Sequence, residues 1–446
     1  MRIIRGAEEA RQTLLRRVPL EEPDLPASVL ETNRRVFGAE LGADEVVDRI
    51  LRDVRTDGDA AVRRYNEDID GVRAPDLPLE VSKDEIKAAY GDVEPELVDA
   101  LRFAAGRIRA FHDVQLGHTM SSFEFDGIGQ VVRAIARVGL YIPGNQVIYP
   151  STLLMIAVPA RVAGVSELIV ATPARPDGSV APLKLVAADI AGVNRVFRAG
   201  GVQGIGALAY GTESVPAVDK ICGPGNIFVT IAKKKLFGEV GIDGIFGPSE
   251  TLVVADEDAD PRFVAADMLA GAEHDELATA VLITDSRELA EKVAVIVAAE
   301  IGSLERTEIA RASLDARGGA VVAGSFEEAL DLASEFAAEH VCLHVREAAR
   351  YIGRIRNGGC VFAGEYSVES IGDYTAGPSH IMPTGGSAKF SSPIGVHDFL
   401  KVTSTVNLNS TFAKQIGPAG VRIARAEGLD GHARAIEARI EEGDSS

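Results

Sequence analysis

Apolar and polar residues alternate along this chain with two different periods. In the segment 32–71, Val46, Val47, Ile50, Leu51 and Val54 recur at helical spacing, and Gly58 lies close to the expected stop. The stretch PELVDALRFAAGRIRAFHDVQ (95–115) repeats that period, so the first 120 residues predict helices. Arg52, Arg55, Arg63 and Arg64 belong to a solvated face in this reading. From about 130 the texture becomes alternating short apolar runs and helical segments. ELIVATP (167–173) is closed by proline and is followed by VAPLKLVAADIAG, NRVFRAG, VDKICGPGN and the helix-like NIFVTIAKKKLF. From 250 the alternation returns in TLVVAD, RFVAADMLAGAEH, TAVLITD, a long helical stretch, AVVAG, FEEALDLASEFAAEH, VCLHV, REAARYIGRIRNGG and CVFAG. Two such arrays predict an α/β fold with two open, mainly parallel sheets covered by helices. After about 385 an extended tail is expected, ending in a helical stretch from 419 to 442.

Composition narrows the chemistry. The 446 residues carry a formal net charge of −20 and a pI near 4.9, which argues against nucleic-acid or anionic-membrane partners. Cys222, Cys342 and Cys360 are too scattered for a disulfide framework or a CxxC zinc site. No signal peptide and no run near ~20 apolar residues is present, so a cytoplasmic location is expected. Eight histidines and many carboxylates remain as the groups able to handle a proton or a metal.

Several segments carry candidate chemistry beside a structural alternative. Gly204-x-Gly206-x-x-Ala209 fits the dinucleotide pattern, in which glycines let helix N-terminal amides approach a pyrophosphate, but no ribose-binding acid follows at ~20 residues. GPGN (223–226) is a second small-residue turn opening a helix. YIPGNQVIYPSTLLM (141–155) reads as an aromatic-packed turn, and Ser249 in GPSE can simply satisfy backbone groups. His274 is flanked by Glu273 and Asp275. Glu339-His340 ends a helical pattern, where the histidine can cap the helix or pair with the acid for proton transfer. That pair precedes its strand, whereas ligand crevices in open sheets lie at carboxyl ends. Asp373 and His380 share the Gly/Pro-rich loop GDYTAGPSHIMPTGG, a pairing suited to zinc or a polar substrate. Glu427 and His432 would point ~140° apart on a continuous helix, unless Gly428 and Gly431 break it. His112, His118, His344 and His397 have no company that lifts them above surface or core residues.

Taken together, GLYIPG, YPSTLLM, AGGVQGIGALAYGTESVPAVDKICGPGN, GPSETLVVAD, AEHD, AEHV, GDYTAGPSH, PTGGSAKFSS and EGLDGHARA resemble histidinol dehydrogenases over nearly the whole chain. The resemblance implies two incomplete Rossmann-like domains: a zinc and substrate side formed by 31–139 and 251–390, and an NAD side at 140–250. An N-terminal arm (1–30) and a helical C-terminal dimerisation tail (391–446) complete it. It further implies a zinc-dependent homodimer with shared active sites that uses two NAD⁺ to oxidise L-histidinol, through the aldehyde, to L-histidine. His274 and Asp373 match zinc ligands, with His432 reaching in from the partner copy. Glu339 and His340 match the acid/base pair, Ser249, His340, Asp373, His380, Glu427 and His432 match substrate contacts, and Tyr141, Gln203 and Asn226 match NAD contacts. There are departures. Gly271 stands where the family has a zinc-ligating Gln, Asn145 replaces a Gly, Ile156 and Ser379 each replace an Asn, and Pro393 interrupts an SSGL-like run. These surround the ligand site, which keeps open a paralogous dehydrogenase of another small polar alcohol, such as a hydroxy-sulfonate or amino alcohol. A non-catalytic binding protein on the same fold is the third reading.

Overall fold

The computed structural model describes residues 1–17, 25, 27–144 and 148–441, so the substitution at Asn145 lies outside the described residues. The chain divides into two units, Met1–Gly117 with Ile135–Phe399, and His118–Ala134 with Leu400–Ser446.

The larger unit contains two wholly parallel sheets. In the first, the strands Arg137–Tyr141, Glu167–Thr172, Arg195–Arg198, Lys220–Cys222 and Gly241–Ile242 lie in the order 3-2-1-4-5 when numbered along the chain. That is the Rossmann order without its sixth strand. The second sheet repeats it with Glu250–Ala255, Thr279–Thr284, Gly319–Val322, His340–His344 and Cys360–Ala363. One further strand, Arg2–Arg5, pairs in parallel with Gly319–Val322 at the edge. Strands covered on both faces must be apolar on both, and Glu250–Ala255 and Thr279–Thr284 are buried at every residue. Alternate side chains serve opposite layers. Leu252 and Val254 pack with Leu330 and Phe336, while Val253 and Ala255 pack with Met268 and Leu289.

Ahead of the sheets, the helices Ala27–Phe37, Ala43–Asp57, Asp59–Asp68, Lys83–Ala89 and Pro95–Gly117 meet the helical expectation. Val46, Val47, Ile50, Leu51 and Val54 are all buried, and Gly58 ends their helix at φ +54°. Arg64 pairs with Asp53, and Arg63 donates to the carbonyls of Pro75 and Leu77. The dinucleotide pattern is corrected. Gly204 and Gly206 lie inside the helix Gly201–Tyr210, away from its opening turn. A Cβ at Gly206 would sit 3.2 Å from Leu51 and 3.3 Å from Val54, so this glycine lets two helices approach closely.

In the smaller unit, Leu400–Val406 pairs antiparallel with Ile128–Ala134, so part of the expected extended tail is a strand. The helical stretch expected from 419 to 442 is two helices, Ser410–Ala426 and Asp430–Ile440, separated at Gly428 with φ +77°. Ile436 and Ile440 pack onto Gly417, where a side chain would collide with them. Among the described residues, no helix is long and apolar enough to cross a membrane.

Replacing Gly206 by Val should overpack Leu51 and Val54 and cost about 1–3 kcal/mol in a urea denaturation series. An unchanged midpoint would show that the contact carries no constraint.

Candidate active site

The helix Phe326–Phe336 stops because Ala337 takes the left-handed conformation, φ +56° and ψ +57°. Glu339 and His340 therefore lie beyond the helix, and the capping alternative for His340 falls away. His340 opens its strand in register with Thr251 on one side and Cys360 on the other. The pair sits at the amino ends of the strands, opposite to the usual carboxyl-end crevice.

Three carboxylates converge on this imidazole. Nδ1 of His340 lies 3.7 Å from Glu339 and 3.6 Å from Glu369, and Nε2 lies 3.5 Å from Asp373. The Phe362 ring stacks beside it at 5.9 Å. His340 is only 2% exposed, yet neither ring nitrogen has a hydrogen-bond partner of good geometry. Burial alone would lower its pKa, but the attraction of Glu369, Glu339 and Asp373 wins and holds it up, to about 10. Burial pushes Glu339 up to about 8 and Glu369 up to about 7 against the opposing pull of His340. For Asp373 the contacts with His340 outweigh burial, and its pKa falls below the ordinary value. One Glu339 oxygen accepts from the Glu250 amide at 3.1 Å, while Glu250 itself is neutralised by Arg17.

His274 follows the helix Pro261–Ala272 and joins this cluster. One ligand atom each from His274, Glu369 and Asp373 lies within 4.8 Å of the other two. Burial lowers the His274 pKa, which favours the neutral, ligating form. His380 is held at both ring nitrogens. Nδ1 donates to the Asp373 carbonyl at 2.7 Å, so Nε2 accepts from the Thr152 hydroxyl at 3.1 Å. Ser249 immediately precedes the strand Glu250–Ala255, and its carbonyl accepts from the Thr279 amide. Glu427 and His432 are exposed residues of the smaller unit, one at the end of Ser410–Ala426 and the other in the first turn of Asp430–Ile440.

The three residues expected to contact NAD lie on segments at the carboxyl ends of the first sheet: Tyr141 ends strand 1, Gln203 is in the helix after strand 3, and Asn226 opens the helix after strand 4. The Tyr141 hydroxyl accepts from the Gly201 amide at 3.0 Å, and burial raises its pKa. Gln203 donates to Asn66 at 3.2 Å and to Asp70 at 3.0 Å. Asn226 caps the helix Ile227–Leu236 by accepting from the Val229 amide. Carboxyl ends of this kind, with helices opening beside them, are where open α/β sheets take ligands.

Two acids beside these residues escaped sequence reasoning. Glu369 stands four residues before Asp373, a helical spacing that could have signalled it. Asp70, pushed up to about 6 by burial, comes from the far N-terminal helical region, and no local spacing would find it. His344 is also corrected, since it pairs with buried Asp267 at 2.7 Å.

Comparison with known proteins gives concordant matches. The family model for histidinol dehydrogenase matches residues 34–440. The histidinol dehydrogenase of Deinococcus radiodurans is 49% identical over 443 residues, covering 99% of this chain and 100% of that protein. That of Moorella thermoacetica is 48% identical over 416 residues, covering 92% and 98%. The crystal structure of histidinol dehydrogenase from Elizabethkingia anophelis superposes with a TM-score of 0.89 at 32% identity, covering 99% of this chain and 98% of that one. These similarities define an α/β oxidoreductase with Rossmann-like sheets. The chain belongs to the histidinol dehydrogenase family.

In metal-free protein the His340 ring should stay charged through pH 8, far above its ordinary 6.5. Because the folded value is the higher one, the stability it contributes is complete below about pH 6.5 and is lost as pH rises towards 10. An NMR titration of the ring reads this directly, and a midpoint near 6.5 would refute it.

Proposed function

We propose that this protein oxidises L-histidinol to L-histidine through the aldehyde, with NAD⁺ and zinc, as a cytoplasmic homodimer. The observation that carries this reading is His340, a buried imidazole that three carboxylates approach within 4 Å without a hydrogen bond, with His274 close by.

The residues suit a metal. The unpartnered Glu369 oxygen and His340 nitrogens are buried polar atoms, and the surrounding imidazole and carboxylates are donors that zinc favours. His274 and Asp373 of one copy, with His432 of a second, are the ligands this reading assigns. When bound, zinc supplies a Lewis acid that makes an alcohol hydroxyl more acidic. NAD⁺ supplies the two-electron acceptor for each oxidation, with Tyr141, Gln203 and Asn226 as its contacts. His340 takes the hydroxyl proton once added positive charge offsets the carboxylates that now hold its own proton. Glu339, fixed through one oxygen by the Glu250 amide, keeps its other oxygen to draw a proton from the water that attacks the aldehyde. Ser249 and His380 orient the substrate together with Glu427 of a second copy.

Support for a dimer comes from the smaller unit, which leaves Phe123, Phe125, Val406 and Ile423 more than half exposed. Isolated apolar side chains are ordinary, but several on one small unit fit an interface between copies.

Zinc-loaded protein should form two NADH per L-histidinol, and Glu339→Gln should slow the overall rate by ~10²–10⁴. Turnover confined to other amino alcohols or diols in the same panel would transfer the reading to a paralogous dehydrogenase, a possibility that the Gly271 departure favours. No turnover of any alcohol would end it. The shared site has its own check: mixing inactive His340→Ala and His432→Ala proteins should restore part of the activity. Verified subunit exchange without recovery would rule out a site built from two copies.

A further inference from the structure

We propose that Glu369 is itself a zinc ligand in this chain, held in position by Thr251, and that it serves where position 271 offers no side chain. The inference rests on the zinc-dependent reading above. It concerns which atoms make the site.

Position 271 lies on the last turn of Pro261–Ala272, one turn before His274. A Cβ there would be 2.3 Å from Thr251 Oγ1 and 2.6 Å from Thr251 Cβ. Thr251 is buried on the strand Glu250–Ala255, and its β-branched side chain occupies the space that a residue at 271 would need. The same hydroxyl donates to Glu369 Oε1 at 3.1 Å. One small side chain thus excludes a ligand from the helix and orients another from across the cluster.

The geometry of Glu369 agrees. The residue is 1% exposed, and Oε2 is buried without a hydrogen-bond partner. A buried carboxylate oxygen that nothing satisfies is costly unless a cation or donor reaches it. His274 and Asp373 provide the other two atoms of a triad whose members all lie within 4.8 Å of one another. Glu369 and Asp373 come from consecutive short helical turns, Glu369–Ile371 and Gly372–Ala376. Gly372 lets these turns pack closely on Phe362, because a Cβ there would meet that ring at 2.3 Å. One imidazole and two carboxylates from a single chain, joined by the His432 of a second copy assigned above, would supply donors of the kind zinc favours. The Thr251 hydroxyl holds Oε1, while Oε2 has no hydrogen-bond partner. Thr251 is accordingly a positioning residue, acting through Glu369.

The test measures zinc affinity of the full-length metal-free protein by competition with a chromophoric chelator. Glu369→Gln should weaken binding ~100-fold or more, and Thr251→Val, which keeps the bulk but not the hydroxyl, by ~10-fold. The visible spectrum of the cobalt-substituted protein should change in Glu369→Gln, which a purely structural role would not cause. Should Glu369→Gln fail to fold, Glu369→Asp serves, because its shorter side chain should also weaken binding. Wild-type zinc affinity and an unchanged cobalt spectrum in the folded variant would overturn the assignment alone. A wild-type protein that binds no zinc would overturn the zinc-dependent reading and this inference together.

Discussion

Glu339, Glu369 and Asp373 surround one imidazole in a space almost closed to water. Not all four groups can be ionised there cheaply, since desolvation penalises each charge and the like charges repel. Without added positive charge, the compromise is a charged His340 with protons retained on the most buried carboxyls. Much of the neighbouring structure serves this arrangement. The left-handed Ala337 aims Glu339 and His340 at the strand ends, the Glu250 amide fixes one Glu339 oxygen, and the His380 ring braces the loop that carries Asp373. Several titratable groups share this small, poorly solvated space, which is the condition in which one cation changes the protonation of several groups together.

The two parallel sheets share the strand order 3-2-1-4-5 but carry their candidate site residues at opposite ends. In the first sheet, Tyr141, Gln203 and Asn226 lie on segments that follow the carboxyl ends of strands 1, 3 and 4. In the second, Glu250, Thr251, Glu339 and His340 occupy the amino ends. Similar topology therefore does not imply similar placement of chemistry, and the function of each sheet has to be argued from its side chains.

Legibility from sequence followed the range over which the physics acts. Helical periodicity is local, so Val46, Val47, Ile50, Leu51 and Val54 were read correctly as one buried face. The βα alternation likewise revealed two parallel sheets. The glycine pattern misled because Gly204 and Gly206 meet their spacing rule inside a helix, where the need is close helix packing. Glu369 was passed over because its neighbours Thr251 and His340 are distant in sequence and only strand register brings them together. The helix break at Gly428 was foreseeable from one residue type, whereas the strand Leu400–Val406 needed its antiparallel partner to be recognised.

The strand Arg2–Arg5 lies more than three hundred residues from its partner Gly319–Val322. On the ribosome it is made long before there is an edge for it to join, so it must wait unpaired while the central strands assemble. Arg17, a few residues further on, neutralises Glu250 beside Glu339 and also grips the Phe336 carbonyl. The counter-ion of Glu250 is therefore supplied across a sequence separation of more than two hundred residues. The N-terminal segment thus both closes one edge of the second sheet and supplies the positive charge beside Glu250.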